Sequence, residues 1–492
     1  MKLLTSLLLA AAPLALAAAP PNVVILYADD LGYGDISCNG AKSVQTPNID
    51  RLAKEGLNFH AAYAAASTCT PSRFALMTGK YPFRQEGTGI LPGDAALILP
   101  TDQPTLPSAM KAAGYRTAAV GKWHLGLGNG DGVDWNKQIT PGPNQVGFDR
   151  SFIMPATADR VPCVYLQDGR VVGLDPQDPI TVSYHHRLDG QPPALEKSER
   201  KMESDPQHST SFVNGIGRIG YMTGGTKALW KDEDMSSTFC KQAVDFIRQS
   251  KDGPFFLYYA FHNIHVPRVP APQFAGKTPM GPRGDSILEA DWQVGEILRV
   301  LDELKLADNT LVIFSSDNGP VVNDGYKDGS IIKLGDHKPA GPWRGGKYTN
   351  YEGGTRMPFI VRWPAKVKGG KTTDAIVSQV DLPRTLAKLS GVPAGNGVFP
   401  DSRDVLPALL GDVSTGREEV AGLGSVVTLR KGNWKFIPSG GRKGAEELYD
   451  LSKDPAEKTN VAASRPEVVK QMAARLTEIA GKVTAHEPPL EE

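Results

Sequence analysis

Four short apolar runs without alternation, each passing straight into polar side chains, constrain this chain more than any other feature. Val23–Ala28 leads into Asp29-Asp30, Leu311–Ser316 into Asp317-Asn318-Gly319, Thr117–Val120 into Gly121-Lys122-Trp123-His124, and Phe255–Phe261 into His262 and His265. A run of this kind suits a strand buried on both faces, and Phe359–Trp363 is another. Helical patterns lie between them. Thr46-Pro47 opens a segment with Ile49, Leu52 and Ala53 on one face and Gly56 as its stop, and Ile287, Leu288, Trp292, Leu298, Leu301 and Leu304 mark a longer helix. The pattern predicts an α/β fold, a large mixed and mostly parallel sheet sandwiched by helices. Ligands of such sheets gather beyond the carboxyl ends of the strands, so these runs should deliver their polar groups to one rim.

A chain of 492 residues exceeds what one core usually supports, and a smaller unit is expected beside the sheet. Residues 20–395 read as the large domain; within it, 155–230 loses periodicity and reads as an irregular elaboration over the rim. Residues 396–492 read as a smaller α+β subdomain, with strand-like Gly424–Arg430 and Asn433–Pro438, then Glu447–Leu451, then an amphipathic helix carrying Val468, Val469, Met472, Leu476 and Ile479. Residues 1–17 combine Lys2, an apolar run from Leu3 to Leu9, and Ala15 and Ala17 before a cleavage point, the pattern of a secretory signal peptide. The protein is therefore expected to be exported, either periplasmic or secreted. No cysteine follows the cut and no later stretch approaches about 18 apolar residues, so no membrane anchor is expected. With 54 basic and 54 acidic residues, the chain offers no general surface for nucleic acid. Cys38, Cys69, Cys163 and Cys240 are too few and too scattered for a disulfide framework.

Cys69-Thr70-Pro71-Ser72-Arg73, followed by Leu76-Met77-Thr78-Gly79, is the sharpest local motif. Thr70 reads as a helix N-cap, Pro71 as the first helical residue and Gly79 as the stop. Free amide N–H groups and the positive end of the helix dipole would then converge near Cys69, a setting for an anion. Asp29, Asp30, Asp317 and Asn318 supply only hard oxygen donors, which suits calcium first and magnesium second, whereas zinc more often recruits histidine or thiolate. Adjacent carboxylates at a strand end are costly unless a cation neutralises them. Taken singly, an Asp-Asn-Gly turn or a solvated lysine is the commoner fate of such residues, whereas a small buried cysteine beside an ordinary helix cap is the lesser alternative for Cys69; their combination points to chemistry.

The cysteine motif, Cys-x-Pro-Ser-Arg followed by Thr-Gly, resembles the signature of the type I, formylglycine-dependent sulfatases of the alkaline phosphatase superfamily. The resemblance covers nearly the whole chain after the leader. Val24 to Gly32 resembles the opening strand and metal pair, and Gly121 to Gly126 the lysine-histidine segment. Phe255 to His265 and Pro267 resembles the strand and loop bearing a further catalytic group, and Asp317-Asn318-Gly319 the second metal pair. Gly346-Lys347 before Tyr351-Glu352-Gly353-Gly354 resembles the final active-site lysine, and Glu447 to Leu451 with Asp454-Pro455 the C-terminal landmark.

The resemblance implies that a maturation enzyme oxidises Cys69 to formylglycine and that Asp29, Asp30, Asp317, Asn318 and residue 69 hold calcium. One geminal oxygen of the hydrated aldehyde would attack sulfur, with Asp317 taking its proton, to give a covalent sulfated enzyme. Lys122, Lys347 and Arg73 would bind sulfate oxygens. His265, helped by Lys347, would protonate the leaving oxygen, and His124 would deprotonate the second hydroxyl to expel sulfate. His262 competes with His265 for that role, and the proline that follows His265 favours the latter; Ser72 reads as a capping and maturation residue. An exported enzyme with a large rim fits a sulfated carbohydrate, with galactose or N-acetylhexosamine sulfates as leading substrates. Arg160, His185, His186 and Arg187 are the candidate sugar contacts, and Trp135, Trp230 and Trp343 the candidate stacking platforms. Two other readings are a phosphate or phosphonate monoester hydrolase of the same superfamily and a non-catalytic glycan-binding relative.

Overall fold

Val23, Val24, Ile25 and Leu26 are all wholly buried, so consecutive side chains of the strand Asn22–Ala28 face apolar layers on both sides of the sheet. The computed structural model describes residues 20–130, 132–393, 395, 397–440 and 444–481; the signal peptide expected over 1–17 lies outside the described residues. Asn22–Ala28 pairs in parallel with Phe255–Ala260 on one side and Thr310–Ser316 on the other, and Phe255–Ala260 pairs in parallel with Arg116–Lys122. These strands form the centre of a ten-stranded sheet. Arg150–Met154 continues it in parallel, whereas Phe359–Arg362 joins Thr310–Ser316 antiparallel. A short continuous apolar run carries no sign of its direction, which is why Phe359–Arg362 could not be oriented from sequence.

Two groups of helices cover the sheet. Pro282–Glu303 packs against both Pro47–Glu55 and Met235–Ser250, and Cys69–Thr78, Leu106–Ala112 and Leu382–Leu389 contact one another. The 155–230 stretch consists of short paired strands, two of which extend the edge of the main sheet, with loops between them. All four cysteines are free thiols. Among the described residues no helix is long and apolar enough to cross a membrane.

Near the C-terminus a four-stranded antiparallel sheet, Glu419–Leu423, Val427–Lys431, Trp434–Ile437 and Glu447–Asp450, is covered by the helix Pro466–Ala480. Met472 and Leu476 of that helix pack against Leu429, Phe436 and Leu448. This small sheet grips the large one close to its functional rim. The Leu423 N–H donates to Ala65 O at 2.9 Å, the Ser67 N–H to Leu423 O at 2.7 Å, and the Tyr348 N–H to Ser67 O at 3.0 Å. One strand end of the small sheet thus fixes the segment leading into Cys69, which in turn fixes the loop carrying Lys347.

Glu352 is the buried charge at this junction. Its carboxylate accepts from Tyr63 Oη at 2.6 Å, Arg356 Nη1 at 3.1 Å and Lys435 Nζ at 3.3 Å. Burial alone would raise its pKa, but Lys435, Arg356 and Arg430 hold it down at about 2. A folded-state pKa below the unfolded one contributes stability above the ordinary glutamate range, and that stability is lost as pH falls towards the folded value. Glu352→Gln should therefore cost about 3–5 kcal/mol at neutral pH, because buried cations lose their counter-charge. Denaturant titrations of both proteins should show the gap narrowing as pH is lowered towards about 3. An equal gap at both pH values would contradict this.

Candidate active site

The register of the sheet builds the site. Ala28 lies opposite Ser316, Tyr27 opposite Ala260, and Ala260 opposite Gly121, so Asp29, Asp317, Lys122 and the loop after Ala260 emerge along one edge. Gly121 is required there, since its φ is +98° and a Cβ would stand 1.8 Å from Ala260 O. The backbone locks these ends together. Asp29 N–H donates to Asn263 O at 2.9 Å, Ile264 N–H to Asp29 O at 2.7 Å, and Asp30 N–H to Asp317 Oδ1 at 3.2 Å.

Cys69 enters the same rim on the helix Cys69–Thr78. That helix starts earlier than its sequence suggests: Thr68 is the N-cap and Cys69 the first helical residue, so Thr70 and Pro71 lie inside the first turn. Thr70 is released from capping because its hydroxyl donates to His124 O at 3.1 Å. Ser72 Oγ closes the preceding loop, donating to Ala66 O at 2.9 Å and accepting from the Ala66 N–H at 3.1 Å. Gly79 ends the helix in the left-handed region, with φ of 60°.

Around Cys69 the charges are buried and interlocked. Arg73 donates through Nε and Nη2 to Asp317 Oδ2 at 2.9 and 2.7 Å, and through Nη1 to Lys122 O at 3.2 Å and Tyr258 Oη at 3.2 Å. Its guanidinium is thus committed to orienting Asp317 and the Lys122 backbone. Lys122 Nζ donates to Asp29 Oδ2 at 2.6 Å. Lys347 Nζ donates to Asp30 Oδ2 at 3.0 Å and to Asp324 Oδ2 at 2.9 Å, and stands 3.3 Å from His265 Nε2. Although burial opposes it, Asp30 and Asp324 hold the Lys347 ammonium well above the ordinary lysine range.

Both histidines of the cluster present a free ring nitrogen. His124 Nε2–H donates to Leu91 O at 2.9 Å, which leaves Nδ1 facing Cys69 Sγ at 3.3 Å. His265 Nδ1–H donates to Val266 O at 2.7 Å, which leaves Nε2 facing Lys347. Burial, reinforced by Lys122 and Arg160, pushes His124 well below the ordinary histidine range; burial, reinforced by Lys347, does the same to His265. Two neutral imidazoles result, each with a lone pair aimed into the site. Burial also raises the Cys69 thiol despite Lys122 and Lys347, so the unmodified side chain is a poor nucleophile.

Two oxygens of the acidic pairs find no donor. Asp29 Oδ1 and Asn318 Oδ1 are buried without a hydrogen-bond partner among the described residues, with Arg73 Nη2 3.9 Å from Asp29 Oδ1, while Asn318 Nδ2 donates to Asp30 Oδ1 at 2.7 Å. Ligand atoms of Asp29, Asp30 and His265 also lie within 4.8 Å of one another. Orphaned hard oxygens amid dense carboxylate are what a divalent cation with oxygen ligands would satisfy.

Of the candidate histidines after Phe255–Ala260, only His265 reaches Lys347. His262 turns away to Ser236 Oγ at 3.0 Å and packs near Phe239, and burial lowers it to about 4. Arg160 is brought close: it pairs with Asp159 Oδ2 at 2.9 Å and Thr157 Oγ1 at 3.0 Å, and its charge acts on both His124 and Cys69. His185, His186 and Arg187 are exposed on the elaboration, and none bonds to the catalytic cluster among the described residues. Trp135 and Trp230 are core residues and cannot serve as platforms for a sugar ring; Trp343 is half-buried beneath the Arg356 guanidinium, 3.6 Å from its ring centre. Sequence reasoning missed Asp324 and Asp159, lone acids in irregular segments whose partners become apparent only in three dimensions.

A model of the sulfatase family matches residues 21–392. An N-acetylgalactosamine-6-O-sulfatase of Bacteroides thetaiotaomicron is 50% identical over 475 residues, covering 93% of each chain. Human arylsulfatase A is 35% identical over 511 residues, covering 95% of this chain and 89% of its own. A solved Bacteroides thetaiotaomicron sulfatase, described in the context of glycosaminoglycan metabolism, superposes with a TM-score of 0.92 at 48% identity, covering 94% of this chain and 100% of its own. Similarity of this extent accounts for the fold and for the rim on which the cysteine, lysine, histidine and aspartate side chains meet. The chain belongs to the sulfatase family of the alkaline phosphatase superfamily and is a sulfuric ester hydrolase.

Proposed function

We propose that this enzyme removes sulfate from the end of a sulfated glycan, with the 6-O-sulfate of an N-acetylgalactosamine or galactose unit as the substrate ester. The observation that carries the reading is Cys69 Sγ at 3.3 Å from the free Nδ1 of a neutral His124, inside a cage of buried carboxylates and ammonium groups. The sugar is inferred from the relative named as an N-acetylgalactosamine-6-O-sulfatase. The leader-like residues 1–17 support export to where such glycans are met.

Position 69, once oxidised to formylglycine, supplies a hydrated aldehyde, one hydroxyl to attack sulfur and a second whose deprotonation expels sulfate. A calcium ion held by Asp29, Asp30, Asp317, Asn318 and residue 69 supplies positive charge for sulfate oxygens. The chain's own groups then divide the work. Asp317, oriented by Arg73, takes the proton of the attacking hydroxyl. Lys122 and Lys347 bind sulfate oxygens and stabilise the charge that shifts onto them in the transition state. The Lys347 ammonium, 3.3 Å from His265 Nε2, gives that nitrogen the proton that His265 then passes to the departing sugar oxygen, leaving Lys347 neutral until it is reprotonated. His124 Nδ1 accepts the proton of the second hydroxyl. Arg160, fixed by Asp159 and Thr157, is positioned to read the sugar.

The test is sulfate release by the matured protein from defined monosaccharide sulfates, run beside the matching phosphate esters. The 6-sulfated N-acetylhexosamines should turn over at least about a hundredfold faster than the phosphates. Chelation of divalent cations should abolish the reaction and lower Tm, and calcium should restore both better than magnesium. Faster turnover of phosphate esters, or full activity after chelation, would overturn the reading.

A further inference from the structure

A cleft of about 610 Å³, separate from the cluster around Cys69, is lined by the 337–345 segment, by Pro320 and Val322, and by Ala456 and Lys458. Its walls continue the loops that carry the catalytic groups. Pro320 follows the Asp317-Asn318-Gly319 turn and its carbonyl accepts the Lys347 N–H at 3.0 Å, while Pro339 O accepts the Gly34 N–H at 2.7 Å, beyond the Asp29-Asp30 pair. The cleft therefore adjoins the segments that follow the Asp29-Asp30 and Asp317-Asn318 pairs and the loop that carries Lys347.

Its chemistry is one-sided. Lys338, Arg344 and Lys458 are exposed around it, and no carboxylate lines it among the described residues. Glu457 lies beside Lys458 in sequence, but its side chain turns inward to accept the Glu352 N–H at 2.8 Å. Arg344 is held in place by its bond to Glu457 O at 2.7 Å and by stacking on Tyr351, 3.7 Å from the ring centre. In a chain whose acidic and basic residues balance, a concave site with only cations on its rim is a local departure that favours an anionic ligand.

We propose that this cleft is a second anion-recognising subsite, which takes a sulfate or carboxylate on a neighbouring sugar while the chain end occupies the catalytic cluster. The proposal rests on the glycan reading above. It explains how an enzyme acting on one ester could prefer a densely charged chain over the free monosaccharide.

The test is calorimetric binding to the full-length protein with Cys69 unconverted, which cannot turn over. The ligands are 6-sulfated N-acetylgalactosamine, a tetrasaccharide alternating it with uronic acid, a tetrasaccharide of sulfated neutral sugars, and a tetrasaccharide sulfated only at its terminal unit. An anionic tetrasaccharide should bind at least about tenfold more tightly than the monosaccharide, with an advantage that shrinks as salt rises. The double variant Lys338→Glu, Lys458→Glu, at two exposed positions, should lose that advantage and keep the wild-type monosaccharide affinity and Tm. Which anionic tetrasaccharide gains identifies carboxylate or sulfate as the ligand group. Equal affinity for all ligands, the same gain from the terminally sulfated tetrasaccharide, or a gain that survives the double variant overturns the proposal. If the matured protein releases no sulfate while the binding difference persists, the catalytic reading falls and the cleft stands.

Discussion

Cys69→Ala should leave a folded protein whose sulfate release falls by about ten-thousandfold or more, the loss expected when a covalent nucleophile is removed from an otherwise intact site. Cys69 is buried at the first turn of its helix, and alanine has a similar size and a better helix propensity. The substitution removes the sulfur and its 3.3 Å contact with His124, at a cost of about 1–2 kcal/mol. Activity and stability should thus separate: kcat collapses while Tm moves by a few degrees. Sulfate release within about tenfold of wild type would mean that another group attacks the ester.

Asp317→Asn should damage both. Both donors of the Arg73 fork meet on Asp317 Oδ2, and Arg73 is fully buried, so a neutral amide leaves that charge without its carboxylate. A loss of about 3–5 kcal/mol follows from stranding one partner of a buried pair. Hydrolysis should fall by at least about a thousandfold if, as proposed, Asp317 takes the nucleophile's proton and offers an oxygen to the cation. Pairing the change with Arg73→Met separates these effects. The double variant should recover much of the stability, since removing both charges of a buried pair leaves neither stranded, and it should remain inactive. Denaturation curves and sulfate release on the two variants check this; a stable single variant would show that Arg73 draws its compensation elsewhere.

The site was legible in sequence because strand ends concentrate it. Asp29-Asp30, Lys122-Trp123-His124 and Asp317-Asn318 each follow a buried run, and parallel register brings them together. What escaped depends on contacts between segments far apart in the chain. The helix begins at Cys69, with Thr68 as its N-cap, and Thr70 is drawn instead to His124 O, a partner 54 residues away. The choice between His262 and His265 rests on Ser236, which removes the former. The strand Glu419–Leu423 was overlooked because it is short and begins in a charged stretch; its pairing with Val427–Lys431 and its contact with Ala65–Ser67 define it. Trp135 and Trp230 have the composition of a sugar platform and the burial of a core, and only the packing separates these fates. Asp324 gave no signal because a single acid in a polar loop is ordinary until Lys347 stands beside it.

Conversion of residue 69 and catalysis should be one quantity. Preparations that carry different fractions of formylglycine, measured by the mass of the peptide containing residue 69, can be compared in sulfate release from a 6-sulfated N-acetylhexosamine. Turnover should rise in proportion to the converted fraction and extrapolate to zero for the all-thiol protein. Turnover that is independent of that fraction, or that persists in protein with an intact thiol at position 69, would contradict the account.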